Sequence, residues 1–119
     1  MWNFIKLLFG IHKKTISSLS YQKFLSHTKS IEKLSASEQI VQYDKVYHHI
    51  LQELGYSGTF GEILKRTPKE ITNIQDIWTL HKLRNTLVHE LEKHNQLLLS
   101  QQAGKYRKII ISFLKQVKN

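Results

Sequence analysis

The sequence predicts an all-α fold, an antiparallel helical bundle with an extra helical segment at its N-terminal side. Three observations lead there. Pro occurs once and Gly five times in 119 residues, so little in the chain interrupts a helix. Apolar residues recur at 3.6-residue spacing through several long windows. No segment alternates apolar and polar residues for long enough to read as a strand. Hydrophobic residues make up 40% of the chain, enough for one domain with a modest core.

Residues 1–34 read as a basic helical segment and residues 35–119 as the main helical domain. The start is apolar, through Trp2, Phe4, Ile5, Leu7, Leu8, Phe9 and Ile11. It is shorter than the roughly 20 residues that span a bilayer and lacks the cleavage site of a signal peptide. Residues 1–14 are expected to dock on the bundle or on a second chain. The competing reading is contact with a membrane surface, with Lys6, Lys13 and Lys14 toward lipid phosphates. Weak helical spacing continues through Ile16, Leu19, Ile31 and Leu34.

Ser35 or Ser37 can cap the next helix. Its apolar face carries Ile40, Tyr43, Val46, Tyr47, Ile50, Leu51 and Leu54, and Gly55 ends it. The Gly55–Gly61 stretch is a turn whose spacing matches no phosphate-binding loop. Thr59 and Glu62 form a capping box for a short helix through Lys65, which Pro68 terminates. Asn73, with Asp76, can cap a helix from Ile74 to Lys93. Ser100 is the expected cap of a last helix bearing Tyr106, Ile109, Ile110, Phe113, Leu114 and Val117.

Charge is distributed unevenly. Met1 to Ile31 holds five Lys and no acid, and Lys93 to Asn119 holds six basic residues and no acid. Between them, seven basic residues face nine acidic ones. Basic ends suit a polyanion such as RNA, DNA or an anionic membrane surface, and Lys105, Arg107 and Lys108 are the candidate nucleic-acid contacts. The plainer reading is a solubilising surface. Cys is absent, which excludes disulfides, thiolate zinc sites and thiol catalysis and fits a reducing, cytoplasmic location. The His residues show no metal-ligand spacing, so neither a metal nor another cofactor is expected.

One residue breaks the pattern. On a wheel started at Ile74, Leu80, Leu83, Leu87, Val88, Leu91 and Ile77 fill an arc from roughly 180° to 320°. Arg84 falls at roughly 280°, inside that arc. A guanidinium does not escape burial by losing its proton, so it must be paired or face a wet cleft. Asp44, at the margin of the apolar face of its own helix, is the first candidate partner. Asn85 and His89 lie one turn apart at the border of the same arc, beside Trp78 and His81. Arg can clamp a phosphate and His can move protons near neutral pH, so Arg84, Asn85 and His89 are the candidate catalytic residues, supported by Asp44, Trp78 and His81. A structural Arg paired with a carboxylate, next to a partly buried His, fits the same spacing.

The segment Trp78-Thr79-Leu80-His81-Lys82-Leu83-Arg84-Asn85-Thr86-Leu87-Val88-His89-Glu90 resembles the signature helix of HEPN-domain proteins. Their motif is Arg, four to six residues, then His, usually with a polar residue after the Arg. The wider stretch, about residues 40–116, resembles small bacterial HEPN-like proteins, including some from the candidate phyla radiation. The resemblance implies a helical bundle that pairs as a homodimer and brings two Arg/His pairs into one cleft. It further implies a metal-independent endoribonuclease of toxin or defence type, with an antitoxin or nucleotidyltransferase partner, or else a non-catalytic RNA-binding or protein-interaction module. The toxin branch paired with nucleotidyltransferases carries a Tyr two residues after the His. Leu91 stands there in this chain, so regulation through that Tyr is not expected.

Overall fold

The computed structural model describes residues 14–89 and 94–119. The apolar start up to residue 13, and Leu91 and Lys93, lie outside the described residues. Among those described there are five helices and no strand: α1 (Ser18–Ile31), α2 (Ala36–Glu53), α3 (Phe60–Lys65), α4 (Ile74–His89) and α5 (Gln96–Val117). None of these helices is long and apolar enough to cross a membrane.

Local chemistry sets the helix starts. The Ser35 side chain accepts from the Glu38 amide and opens α2. Thr59 and Glu62 exchange both hydrogen bonds of a capping box at α3. Gly55 and Gly58 take φ of +103° and +106°, values that close the turn between α2 and α3 and that a side chain would resist. The last helix begins earlier than its sequence suggests. Asn95, rather than Ser100, accepts from the Leu98 amide. The extra turn is retained because it delivers Leu99 into the core.

α2 forms the centre of the molecule. Ile40, Tyr43, Val46, Tyr47, Ile50, Leu51 and Leu54 are all buried, as the spacing predicts. Tyr47 stacks on Phe60 of α3 at 5.7 Å and on Phe113 of α5 at 4.8 Å between ring centroids. Such pairs add about 0.5–1.5 kcal/mol each beyond the area they bury. α1 joins this core through Tyr21, Thr28 and Ile31, with Phe24 and Leu25 partly covered. Leu19 and Leu34, expected on its apolar face, are exposed instead, because the buried stripe follows Tyr21, Thr28 and Ile31. A short bridge fastens α1 to the end of α5: the Ile16 amide donates to the Val117 carbonyl and the Asn119 amide to the Ile16 carbonyl.

The connection from α3 to α4 is held by a buried carboxylate. Glu70 is 2% exposed, and its Oε1 accepts from the Tyr56 hydroxyl at 2.5 Å. The Gln116 side chain donates to the Glu70 carbonyl, tying the same loop to α5. α4 then buries Ile77 and Leu80, while Leu83 and Leu87 are only partly covered. Val88, expected in the buried arc, is 48% exposed. The apolar face of α4 is therefore well covered in its first half and half-covered after Leu80.

Burial raises the phenols of Tyr43, Tyr47 and Tyr106 above their ordinary value. Burial, followed by the hydrogen bond to Glu70, pushes Tyr56 up to about 12. A phenol with a raised pKa holds its proton more tightly in the folded chain than in the unfolded one. Its contribution is complete below the unfolded value of about 10 and is lost as pH rises through the folded value. Stability is expected to hold up to about pH 9 and to fall above about pH 10. Tyrosinate absorbance and helical circular dichroism should then change together. Ionisation of most tyrosines with helicity intact would contradict this packing.

Candidate functional site

The site is built around a buried carboxylate on α2. Asp44 follows Tyr43 in the sequence and is 4% exposed, so its charge needs partners. It finds three, on two other helices. The Tyr106 hydroxyl of α5 donates to Oδ1 at 2.6 Å. His81 Nδ1 of α4 lies 3.0 Å from Oδ2. Arg84 Nε, one turn further along α4, lies 3.6 Å from the same oxygen, an ion-pair distance. Burial, then the negative charge and hydrogen bond of Asp44, raises the Tyr106 hydroxyl well above its ordinary value, which keeps the phenol protonated as a donor.

Spacing explains the convergence. His81 and Arg84 are three residues apart on α4 and so lie on one face. On α2, Asp44 and His48 are four apart and share a face in the same way. The two faces meet across a cleft of about 390 Å³, whose lining includes Asp44, Lys45, His48, His81, Arg84 and Asn85. The start of α3 closes its third side, with Thr59, Phe60 and Gly61. Phe60 lies between the two imidazoles, 5.5 Å from the His48 ring and 4.7 Å from the His81 ring.

Arg84 occupies the cleft wall, its side chain 26% exposed, whereas every described Lys is exposed. Nη1 donates to Asn85 Oδ1 at 3.0 Å. Nε is buried and has no hydrogen-bond partner, since Asp44 stands just beyond bonding distance. The guanidinium is therefore oriented from behind by a carboxylate and from the side by an amide.

The expected site residues separate into two groups. Asp44, His81, Arg84 and Asn85 meet at the cleft. Trp78 is half-buried behind it, its ring 6.2 Å from that of His81. His89 is exposed and is not among the residues lining the cleft. Neither are Lys105, Arg107 and Lys108. Lys105 pairs with Asp76 at 3.1 Å and Arg107 with Glu32 at 3.0 Å, both at the surface. Exposed pairs of this kind contribute about 0–1 kcal/mol, so both cations remain available to a stronger anion. Lys108 lines a separate groove with Asn73, Ser112 and Gln116.

Two features of the site were not singled out from sequence. His48 stood only as one of several unspaced His residues, yet its ring faces the cleft, with Nε2 3.0 Å from the Gly58 carbonyl. The signal that points to it is its four-residue spacing from Asp44. The other feature is that His81, not Arg84, makes the closer contact with Asp44. Among the described residues no three His, Asp or Glu side chains gather closely enough to hold a metal ion.

Removing the carboxylate tests this construction. Asp44→Ala leaves the Tyr106 hydroxyl and the Arg84 guanidinium without their acceptor. A broken buried pair costs about 3–5 kcal/mol, and the partial exposure of Arg84 lowers this to about 2–4 kcal/mol. Urea unfolding should show that loss, with a smaller one for Asp44→Asn, whose amide oxygen still accepts from Tyr106. An Asp44→Ala variant as stable as wild type would show that the three contacts contribute nothing. Compared with known proteins, the chain matches no family model, no curated protein and no solved structure.

Proposed function

We propose that the chain is a HEPN-like protein of antiparallel helical-bundle type, a metal-independent endoribonuclease in which Arg84, Asn85 and His89 act on RNA. The observation that carries this reading is the side-by-side presentation of Arg84 and Asn85 on a cleft wall, with the acid that fixes the guanidinium buried behind it. An Arg held in this way can hold a phosphodiester with little reorganisation. The 2′-hydroxyl oxygen would attack the adjacent phosphorus while the bond to the leaving 5′-oxygen breaks. One proton must leave the 2′-hydroxyl and one must reach the 5′-oxygen, and His89 would carry one of these transfers. Arg84 would offset charge on the phosphorane, and Asn85 would hold the phosphate.

Because His89 lies outside the cleft of its own chain, the reading requires a C2 homodimer that brings a second copy of α4 alongside. The incompletely covered Leu87, with Leu34 in the same groove, and the exposed Val88 supply apolar surface for such a contact. The bundle topology is supported by the pairing of Asp76 with Lys105 and by the groove that Asn73 lines together with Ile109 and Ser112, as expected for an antiparallel α4 and α5. A toxin or defence role in the cytoplasm, with an antitoxin or nucleotidyltransferase as partner, belongs to the same proposal. The exposure of His89 favours a second reading, a module that binds RNA without cutting it.

Incubation with structured single-stranded RNA in EDTA separates the two. Under the nuclease reading RNA is cut, DNA is spared for want of a 2′-hydroxyl, and His89→Ala loses about 10²–10⁴-fold in rate while retaining affinity. Neutralising Lys105, Arg107 and Lys108 together weakens binding and flattens its salt dependence. Steeply salt-dependent binding without cleavage establishes the module instead. Light scattering is expected to report a dimer, and a monomer at assay concentration would remove the shared cleft on which the nuclease reading depends.

A further inference from the structure

We infer that the cleft between α2, α3 and α4 is a binding site for a phosphate group, in which His81 Nε2 and the Arg84 guanidinium meet the phosphate oxygens. The inference rests on the polyanion reading above for its wider ligand, but its geometry stands independently.

Among the described residues Asp44 is the one acid lining the cleft, against Lys45, Arg84 and two imidazoles. That acid is turned away from a ligand: it is 4% exposed, Oδ1 is taken by Tyr106, and Oδ2 faces both His81 and Arg84. What the cleft offers an incoming group is therefore cationic and rich in N–H donors, which suits an oxyanion.

Tautomer chemistry sharpens this. An ionised carboxylate only accepts, so the His81 Nδ1–H donates to Asp44 and Nε2 is the nitrogen left for a ligand: it accepts from a phosphate hydroxyl when the ring is neutral and donates to a phosphate oxygen when the ring is an imidazolium. On α3, Gly61 carries no side chain toward that nitrogen, and Phe60 packs against the His81 ring. A Cβ built at Gly61 would stand 3.9 Å from Nε2. On the opposite wall the Gly58 carbonyl can only accept, so His48 donates through Nε2, and its Nδ1 donates to a ligand only as an imidazolium. Among the described residues, the charged or titratable groups sharing the cleft with His81 are Asp44, Lys45 and His48 of α2 and Arg84 of its own helix, with Tyr106 of α5 bonded to Asp44 behind them. The α3 residues lining the cleft, Thr59, Phe60 and Gly61, bring no charge.

Arg84 supplies the second, independent observation. Its Nε is a buried donor with no hydrogen-bond partner, beside an Nη1 already committed to Asn85. Nε is turned to Asp44 Oδ2 at 3.6 Å and Nη1 to Asn85, so the guanidinium is held on the cleft wall, 26% exposed, with further N–H donors left for a phosphate oxygen. The site thereby assigns His81 the place next to the phosphate within one chain, whereas His89 stands outside that cleft.

The test follows the imidazole resonances of the full-length protein by NMR, with inorganic phosphate and with a 2′-O-methyl RNA tetramer as probes. The His81 ring signals are expected to move saturably with phosphate while those of His27, exposed on α1, stay in place. His81→Gln, whose amide can still donate to Asp44, is expected to weaken phosphate binding about tenfold. Gly61→Ile, which fills the cleft without altering a ligating group, should abolish it, and this keeps the test decisive if the His81 variant fails to fold. A His81 signal that ignores phosphate, or binding that survives Gly61→Ile, overturns the inference. Displacement of phosphate by the RNA tetramer identifies the RNA backbone as the source of the group. RNA that binds without displacing it leaves the phosphate site standing for a free phosphate ester and removes the cleft from the nuclease reading.

Discussion

The carboxylate of Asp44 is the interaction on which the rest of the arrangement depends. A charge buried at the centre of a helical core is unfavourable unless its oxygens are fully engaged. Here they are engaged by one helix on each side: a phenol from α5, and an imidazole and a guanidinium from α4. Apolar contacts alone would tolerate small rotations of α4 about its axis. The three polar contacts do not, because each requires a particular donor at a particular oxygen. Asp44 therefore contributes specificity of packing as much as stability, and the same specificity orients the side chains of the cleft.

Much of the fold is legible in the sequence because it follows from local periodicity. The stripe from Ile40 to Leu54 reads directly as a buried helix face, and Thr59 with Glu62 reads as a helix start. Arg84 is conspicuous on a wheel for the same reason, and Asp44 can be named as its partner from position alone. Periodicity carries no information about how far one helix is rotated against another. That rotation decides that His81 comes closer to Asp44 than Arg84 does, that His48 faces the same cleft, and that Val88 and His89 face outward. The start of α5 at Asn95 is a milder case, in which a buried Leu99 outweighs a plausible cap five residues later. The role of Glu70 is likewise invisible locally, since its Tyr56 and Gln116 contacts are 14 and 46 residues away in the chain.

The aromatic core has its own logic. Tyr47 and Tyr106 are each fully covered, yet only Tyr106 has a hydrogen-bond partner for its hydroxyl, while that of Tyr47 has none. Tyr47 is placed by ring stacking, between Phe60 and Phe113, and Tyr106 by its acceptor. The first arrangement joins α2 to the outer helices through shape, the second through polarity. Phe60 connects the two, because one of its neighbours is Tyr47 in the core and another is His81 in the cleft. A change in the packing of α3 is felt on both sides at once.

One consequence of the shared carboxylate concerns motion. Native proteins open in cooperative segments, and the boundaries of those segments follow the contacts that must break together. Loosening α5 near Tyr106 frees one oxygen of Asp44, and the group that then rebalances it is on α4. Amide hydrogens around Tyr106 and around His81 should therefore exchange with solvent through a common opening, even though the two residues belong to different helices. Through Asp44 the walls of the cleft are expected to open and close with the last helix.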